Sequence, residues 1–229
     1  MKKKLLIFGN GEIAELAKFY FNKEGKYEVI AFVVDKKYLK YDKFNNLPLV
    51  ALEDIETKYS NNDYFFHVAL SYQKLNNVKK EKFLEIKKKK YKFASFISQN
   101  SIINTEEKNL GENLFILENQ TIQNNVIIKD NVMIWSSNHI GHGTIIDSHS
   151  YISSHVVISG HCHIGEKCFF GVNSAVADFC TIGQSSFIGM GSNISTNIKA
   201  NSTVISKNSE IFQEDSRVGN LIKKKYFKL

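Results

Sequence analysis

The sequence predicts a small α/β domain followed by an all-β parallel β-helix, and two features of the chain support this prediction. Between residues 116 and 194 every sixth residue is Ile, Val or Phe, which makes 14 consecutive hits, 12 of them Ile. A period of six matches neither helical spacing nor strand alternation, and it indicates stacked repeating units. Ahead of the repeat, short apolar segments are separated by a glycine turn and a helical pattern, as in an α/β domain.

Each hexad is expected to form one short strand and one corner, so that three hexads make one coil of a triangular prism. The large aliphatic residue at position 1 then stacks on its counterpart 18 residues away. Two residues before it the side chain is usually small or β-branched, and Cys162, Cys168 and Cys180 all occupy that place. We expect these cysteines to fill the core of the prism rather than to form disulfides.

The composition narrows the class of protein. A hydrophobic fraction of 43% suits a soluble globular protein. No apolar run approaches the roughly 18 residues of a membrane span and the start lacks a secretory signal, so we expect a cytoplasmic protein with no membrane partner. Of the 30 basic residues 29 are Lys, in solvated runs without interleaved aromatics, so no nucleic-acid partner is expected. The net charge of +7 still favours an anionic substrate.

The first strand of the α/β domain ends at Gly9, Asn10 and Gly11, an amphipathic helix follows, and the second strand ends at Asp35. This order is typical of the start of a βαβ nucleotide-binding unit, in which glycines let the backbone approach a phosphate at the helix N-terminus. Ala14 replaces the third glycine of a full dinucleotide fingerprint. A strand-to-helix turn without any ligand therefore stays an open alternative.

Three regions are predicted, namely the α/β domain at residues 1–98, the β-helix at residues 99–206 and a tail at residues 207–229. About 100 residues are too few for a whole dinucleotide fold, so a mononucleotide or a nucleotide-linked sugar fits better than NAD. Further strands are predicted at residues 49–51, 64–70 and 93–97, and helices at residues 52–59 and 73–90.

Six of the seven histidines lie between residues 139 and 163. His149, His155 and His161 share position 4 of successive hexads, so they occupy successive corners and cannot converge on one metal ion within one chain. A metal site between subunits remains possible, and so does packing of these residues and of His163 against a neighbouring subunit. We expect no metal requirement.

His142 differs from the others because Gly141 and Gly143 flank it and clear space around the imidazole. A neutral histidine is a natural general base near pH 7, able to deprotonate an attacking amine or hydroxyl. Gly160 lies one coil above His142, and its backbone N–H would stabilise the oxyanion of an acyl-transfer intermediate.

With its hexads and this histidine, the chain resembles the left-handed β-helix (hexapeptide-repeat) acyltransferases. Within them it is most similar to sugar acetyltransferases that carry a small Rossmann-like nucleotide-binding domain at the N-terminus. These include enzymes that N-acetylate UDP- or dTDP-linked 4-amino-4,6-dideoxy sugars, GDP-perosamine N-acetyltransferases and the sialic acid O-acetyltransferase-like group. The resemblance implies a homotrimer with acetyl-CoA as co-substrate, active sites between adjacent β-helices, and a role in bacterial polysaccharide or glycan assembly.

The resemblance also implies roles for individual residues. It places the catalytic base at His142, the phosphate loop at Gly9, Asn10 and Gly11, and the acid that reads the base or ribose at Asp35. The implied cofactor-binding residues are Tyr151, Gly160, Gly171, Val172 and Gly189, and the implied sugar-binding residues are Trp135, Asn138 and His139.

The chain departs from the family pattern in three places. Gly143 stands where an acid commonly orients the catalytic histidine, so an orienting acid must come from elsewhere, such as Asp147 or Glu118. Trp135 stands where the amino-sugar enzymes often have an Asn, and it offers a stacking face and one N–H donor. The usual Gly-x-Pro-Ala-Lys near the C-terminus is replaced by residues 219–223.

The expected function is acetyl-CoA-dependent N-acetylation of a nucleotide-linked amino sugar, with His142 as general base. Three alternatives remain open. They are a sugar O-acetyltransferase, a metal enzyme of the γ-carbonic-anhydrase type, and a non-catalytic trimeric scaffold or nucleotide-sugar sensor.

Overall fold

A computed structural model describes residues 2–227, except the side chain of Tyr226. The N-terminal elements are β1 (Lys3–Phe8), α1 (Glu12–Glu24), β2 (Tyr27–Val34), β3 (Lys43–Phe44), β4 (Leu47–Ala51), α2 (Ile55–Lys58), β5 (Tyr64–Val68), α3 (Asn77–Lys88) and β6 (Lys92–Phe93). They form a six-stranded sheet in the order β3-β4-β2-β1-β5-β6, in which β3 runs antiparallel to β4 and the other neighbouring pairs are parallel.

Helices cover both faces of this sheet because side chains alternate along each strand. Leu5 and Ile7 of β1 point to the face that packs on α1, while Leu6 and Phe8 point to the face that packs on α2 and α3. The N-terminal part is therefore a three-layer α/β unit with two apolar clusters.

Two predicted segments are corrected by the structure. The helix expected from residue 73 begins at Asn77, because Lys74, Leu75 and Asn76 all adopt left-handed φ angles that end in a tight turn. The single strand expected at residues 93–97 is two strands, and the second of them already pairs within the β-helix. The β-helix thus begins at Phe96 rather than after residue 98.

The β-helix has three walls of parallel strands. Wall 1 consists of β7 (Phe96–Ile97), β9 (Phe115–Ile116), β12 (Met133–Ile134), β15 (Tyr151–Ile152), β18 (Phe169–Phe170), β21 (Phe187–Ile188) and β23 (Thr203–Val204). Wall 2 consists of β8 (Ile102–Ile103), β10 (Thr121–Ile122), β13 (His139–Ile140), β16 (Val157–Ile158), β19 (Ala175–Val176) and β22 (Asn193–Ile194). Wall 3 consists of β11 (Ile127–Ile128), β14 (Ile145–Ile146), β17 (His163–Ile164) and β20 (Thr181–Ile182).

The predicted stacking of position-1 residues is confirmed. Ile140 pairs with Ile158 one coil above, and every position-1 residue from 116 to 194 belongs to one buried core. Cys162, Cys168 and Cys180 are free thiols buried within that same core, as expected. The repeat changes length at its two ends, where Ile97 pairs with Ile116 and Ile188 pairs with Val204.

The residue at position 4 of each hexad forms the corner in the left-handed backbone conformation. From residue 113 to residue 191 its φ angle lies between 54° and 68°. Asn is frequent there because it tolerates this conformation better than other side chains, and glycine tolerates it without strain. Gly143 is such a residue, with φ of 66°. We call the corners that follow walls 1, 2 and 3 the first, second and third corner; in the His142 coil they are residues 135–138, 141–144 and 147–150.

The two parts of the chain share an apolar junction. Phe115, Met133 and Tyr151 project from wall 1 into the cluster that contains Phe21 of α1. On the other side α3 lies against the third corner, where the Lys79 amine donates to the Asn131 carbonyl at 3.2 Å. This packing places the end of the N-terminal sheet beside wall 1.

The tail contains α4 (Arg217–Phe227), and its described residues are mostly exposed. The last two residues of the predicted tail at 207–229 lie outside the described residues. Across residues 2–227, every helix is too short or too polar to span a bilayer.

Candidate active site

His142 is exposed at the second corner, and Gly160 of the next coil leaves room for its ring. The flanking glycines do not clear the imidazole as expected, because a Cβ on Gly141 would meet the backbone of Ser159 and Gly160, and one on Gly143 would meet the His161 ring. A Cβ atom on Gly160 would come within 2.8 Å of the His142 Cε1 atom, so only glycine fits beneath the imidazole as it lies. His161 contacts the same ring edge-on, with 4.7 Å between ring centroids, and stacks in turn on Phe179. The imidazole is therefore confined by its own chain and still reaches solvent.

Gln123, which the sequence reasoning missed, holds His142 from the coil below. Its Oε1 atom accepts from the backbone N–H of His142 at 2.9 Å and lies 3.1 Å from the Nδ1 atom. The signal was present in the sequence, because Gln123 follows the position-1 residue Ile122 and lies one coil below Gly141.

The two acids that were expected as orienting partners are both engaged elsewhere, so that expectation is wrong. Asp147 binds Lys129 at 2.7 Å and His163 at 2.9 Å. Glu118 accepts from the Tyr20 hydroxyl at 2.8 Å. Glu118 lies at the first corner and Asp147 at the third corner, whereas His142 lies at the second.

The backbone N–H of Gly160 already has a partner, since it donates to Asp178 Oδ1 at 2.9 Å. Asp178 lies one coil above Gly160 and reaches down to it. A ligand carbonyl would need to displace this carboxylate before it could accept from Gly160.

A second group of candidate residues lies at the first corner, beside two adjoining cavities. One cavity of about 560 Å³ is mostly apolar, and one of about 530 Å³ reaches the Gly9–Gly11 loop. Tyr72, Trp135 and Tyr151 line both. The remaining lining residues are Ser153, Ser154, Phe169, Gly171, Val172, Phe187 and Met190 in the first, and Asn10, Gly11, Glu12, Ile13, Ala69, Leu70, Ser71 and Gln73 in the second.

Aromatic rings build the shelf between these cavities. Tyr151, Phe169 and Phe187 stack along wall 1 at 5.3 Å intervals, and Tyr72 from the N-terminal part packs edge-on against the first two. Trp135 donates its indole N–H to the Tyr151 hydroxyl, so the indole offers a ligand its face rather than its donor. Burial raises the pKa of Tyr151 to about 12, which keeps the phenol neutral.

The glycine loop has one structural glycine and one that the fold does not demand. Gly9 has φ of 129°, and a Cβ there would lie 2.6 Å from the Ala69 carbonyl oxygen. A Cβ on Gly11, by contrast, would meet no atom within 4 Å, and the φ of Gly11 is ordinary. Glu12 brings a carboxylate into the same cavity, which opposes close approach of a phosphate.

Asp35 stands at the end of β2 as expected, and its carboxylate is paired with Lys82 of α3 at 2.6 Å. Both side chains are largely buried. The pair lies near the carboxyl end of the sheet, where open α/β sheets bind ligands.

One of the sugar-binding expectations fails, that for Asn138, whereas the role of His139 stays a prediction. Asn138 is 2% exposed and its amide is used inside the β-helix, where it donates to the Trp135 carbonyl and accepts from the Val156 N–H at 2.6 Å. His139 is half-buried on wall 2, away from the wall that carries the aromatic shelf. Trp135 alone of these three lines the cavities.

The candidate residues thus fall on two different corners of one chain. His142 and Gly160 lie at the second corner, whereas Gly171, Val172 and Gly189 lie at the first. Wall 2 separates the two groups, so a single chain does not bring them together.

The corner histidines do not behave alike. His149 is buried against α3 of its own chain, beside Phe83, so the expectation that it packs on a neighbouring subunit is wrong. His155 and His161 remain exposed at their corners. Within residues 2–227, no three His, Cys, Asp or Glu side chains are grouped as a metal site requires.

Comparison with known proteins relates this architecture to others. Residues 125–160 match the family model described as bacterial transferase hexapeptide (six repeats). No curated protein matches the sequence. The acetyltransferase domain of PglB from Neisseria gonorrhoeae FA1090, in complex with acetyl coenzyme A, is 19% identical, with a TM-score of 0.77 over 89% of this chain and 96% of that chain.

Two further structures come from Caulobacter crescentus. PerB in complex with CoA and GDP-perosamine is 16% identical, with a TM-score of 0.76 over 87% of this chain and 92% of that chain. A GDP-perosamine N-acetyltransferase in which one histidine is replaced by alanine is 16% identical, with a TM-score of 0.62 over 92% and 97% of the two chains. At these identities the likeness is one of fold, and the chain therefore carries the bacterial transferase hexapeptide repeat within the fold of these acetyltransferases.

Proposed function

We propose that the chain is an acetyl-CoA-dependent acetyltransferase that modifies the amino group of a nucleotide-linked sugar, with His142 as general base. The observation that supports this most is the exposed imidazole of His142, for which Gly160 leaves space. A confined and solvent-accessible histidine on a β-helix corner suits proton abstraction rather than core packing. The similar structures with acetyl-CoA, CoA and GDP-perosamine support the choice of substrates.

In the proposed reaction the sugar amine attacks the thioester carbonyl carbon of acetyl-CoA. The C–N bond forms, the C–S bond breaks, and the amine proton passes to Nε2 of His142 and then to the leaving thiolate. His142 contributes by holding that proton, and the rest of the rate comes from positioning the two substrates. For the Gly160 N–H to stabilise the oxyanion, Asp178 must first release it.

The first-corner cavities suit the remaining parts of the substrates. The apolar cavity beside Gly171 and Val172 fits an extended pantetheine arm, and Gly189 adjoins Met190, which lines it. The cavity between Gly11 and Trp135 fits the sugar ring against the indole face, and the diphosphate would have to lie away from the Glu12 carboxylate that lines the same cavity. On this proposal the N-terminal part is a Rossmann-like nucleotide-binding domain and the β-helix is left-handed.

We infer that the protein works as a homotrimer, because His142 and the first-corner cavities lie on opposite edges of wall 2. A neighbouring copy that sets its second corner against the first corner of this chain would complete the site. Exposed Val157 and Ile102 on wall 2 supply apolar surface for such a contact.

Transfer to an amine is favoured over transfer to a hydroxyl. A nucleotide-recognising domain suits an activated amino-sugar precursor, and the indole N–H that a different sugar orientation would use already binds Tyr151. O-acetylation and a non-catalytic scaffold find no separate support in the geometry.

The proposal is tested by following thiol release from acetyl-CoA against UDP-, dTDP- and GDP-linked amino sugars. We expect turnover with at least one of them, and a product heavier by one acetyl group in mass spectrometry. The corresponding hydroxy sugars serve as matched controls and separate N- from O-transfer. Folded protein that acetylates no member of either panel would overturn the proposal.

A further inference from the structure

We propose that Gln123 is the positioning residue that fixes the tautomer of His142, and that a neutral amide here takes the place of an acid. The inference rests on the proposed function for its catalytic meaning, but its structural content stands on contacts within this chain. It assigns a role to a residue that the sequence pattern did not single out.

The orientation of the Gln123 amide is decided by the backbone. The N–H of His142 can only donate, and it lies 2.9 Å from one atom of the Gln123 amide, so that atom must be the oxygen. The same Oε1 atom lies 3.1 Å from Nδ1 of the imidazole. Since Oε1 can only accept, Nδ1 must carry the proton.

The consequence reaches the other ring nitrogen. With the proton on Nδ1, the neutral ring leaves the lone pair of Nε2 free, and Nε2 makes no hydrogen bond among residues 2–227. Nε2 is thus the atom available to take a proton from an acceptor amine. No carboxylate among those residues touches the ring. An imidazolium at His142 would therefore be stabilised by the dipole of the Gln123 amide and not by a negative charge.

The tautomer itself is the first readout, measured by long-range ¹H–¹⁵N NMR of histidine-labelled protein at neutral pH. The signals of His142 are assigned by their loss in His142→Asn. We expect the Nδ1–H form in the wild type and a gain of the Nε2–H form in Gln123→Met. An Nε2–H ring in the wild type, or an unchanged Nδ1–H ring in Gln123→Met, would overturn the inference.

Catalysis gives the second readout. Gln123→Met should lower kcat by about 10- to 100-fold, the effect of one lost hydrogen bond to a reacting group, with little change in KM for acetyl-CoA. Gln123→Glu keeps both acceptor contacts and adds a charge that stabilises the imidazolium. It should retain the Nδ1–H tautomer while the acid limb of the pH–rate profile moves up by about one pH unit.

Gln184→Met is the matched control, because Gln184 is an exposed glutamine at the third corner without a side-chain hydrogen bond among the described residues. It should leave the tautomer and kcat unchanged. A purely structural role of Gln123 predicts the same pH profile for Gln123→Glu as for the wild type, which would contradict the inference. Because the spectrum needs no substrate, a protein without turnover but with the Nδ1–H ring would refute the acetyltransferase proposal and leave this inference standing.

Discussion

His142 and His149 occupy neighbouring corners of the same coil, and a carboxamide one coil below holds each of them. Gln123 presents its oxygen to Nδ1 of His142, at 3.1 Å. Asn131 presents its nitrogen to Nδ1 of His149, at 2.8 Å. The same repeat therefore holds two histidines in opposite tautomers, and the amide orientation decides which.

The orientation of Asn131 is also fixed by the backbone, through a ladder of amides along the third corner. The Val68 N–H donates to Asn113 Oδ1 at 2.8 Å, and Asn113 Nδ2 donates to Asn131 Oδ1 at 2.7 Å. Asn131 must then direct its nitrogen to His149. The imidazole accepts at Nδ1 and carries its proton on Nε2, which lies 3.7 Å from Glu166 Oε1.

What covers each corner makes the second difference. The second corner is open, whereas α3 closes the third corner and leaves His149 only 5% exposed. Burial lowers the pKa of His149 to about 4, with Glu166 opposing the shift and Lys80 and Lys79 adding to it. One histidine is thus exposed, as the proposed proton transfer requires, and the other is a neutral part of the junction between the two parts of the chain.

The largest expected effect is on activity, where substitutions of the two histidines should differ most. His142→Asn should lower kcat by about 10² to 10⁴, the usual contribution of a general base, without a change in the free energy of unfolding. His149→Asn should leave kcat within a few-fold of the wild type, because its ring does not line the proposed substrate cavities. Acetyl-transfer kinetics and chemical denaturation of both variants check this.

Either of two outcomes would contradict this distinction between the two histidines. If His149→Asn lost as much kcat as His142→Asn while remaining folded, the buried histidine would belong to the reaction. If His142→Asn kept full turnover, the base would lie elsewhere.

A second expectation sharpens the contrast through Lys79, the buried amine beside Asn131. Burial lowers the pKa of Lys79 to about 7, from a usual value of 10.5. Between these values the unfolded chain binds a proton that the folded chain has released, so stability rises with pH by about 1.4 kcal/mol per unit. Lys79→Met should remove this slope, measured by denaturation at pH 7, 8 and 9 at fixed protein concentration.

Lys88→Met is the control for Lys79→Met, since Lys88 lies on the same helix and is exposed. Its stability should follow the pH dependence of the wild type. Equal slopes in all three proteins would mean that the third corner does not exclude charge.

The sequence predicts the β-helix well because a period of six leaves few other structures for the chain. The stacking of Ile140 on Ile158 follows from counting alone. The elements at residues 73–90 and 93–97 were less predictable, because left-handed turn residues and the start of the first coil follow tertiary pairing rather than local pattern.

The candidate site divides in the same way. The flanking glycines Gly141 and Gly143 were expected to clear space for the His142 ring, but the structure assigns that role to Gly160 of the next coil. What the spacing could not tell is which side chains reach across coils. Gln123 and Asp178 act on neighbours about one coil away, where the contact depends on rotamers and not on the hexad position. Asn138 shows the opposite error. Its polar side chain suggested a ligand-binding residue, but the residue is buried in the β-helix.

The smallest expected effect tests whether burial sets the chemistry of the third corner. Burial lowers the pKa of His67 to about 3 and that of His149 to about 4 in the folded chain. As the pH falls below 6.5, both rings are therefore protonated in the unfolded chain while they are still neutral in the folded chain. Each of the two histidines then lowers the free energy of unfolding by about 1.4 kcal/mol for every unit by which the pH falls. His149→Asn should reduce the slope between pH 6 and 4.5 by that amount, while His67 maintains the rest.

His155→Asn is the matched control, because His155 has the same hexad position and a similar left-handed φ of 58° but is exposed. Asn fits both backbones without strain, so the two variants differ in the burial of the histidine and in its hydrogen bond to Asn131. Denaturation curves across this pH range should show the wild-type slope for His155→Asn and the reduced slope for His149→Asn. Equal slopes for the two variants would mean that α3 does not keep His149 neutral, and the distinction between the two corners would then rest on hydrogen bonding only.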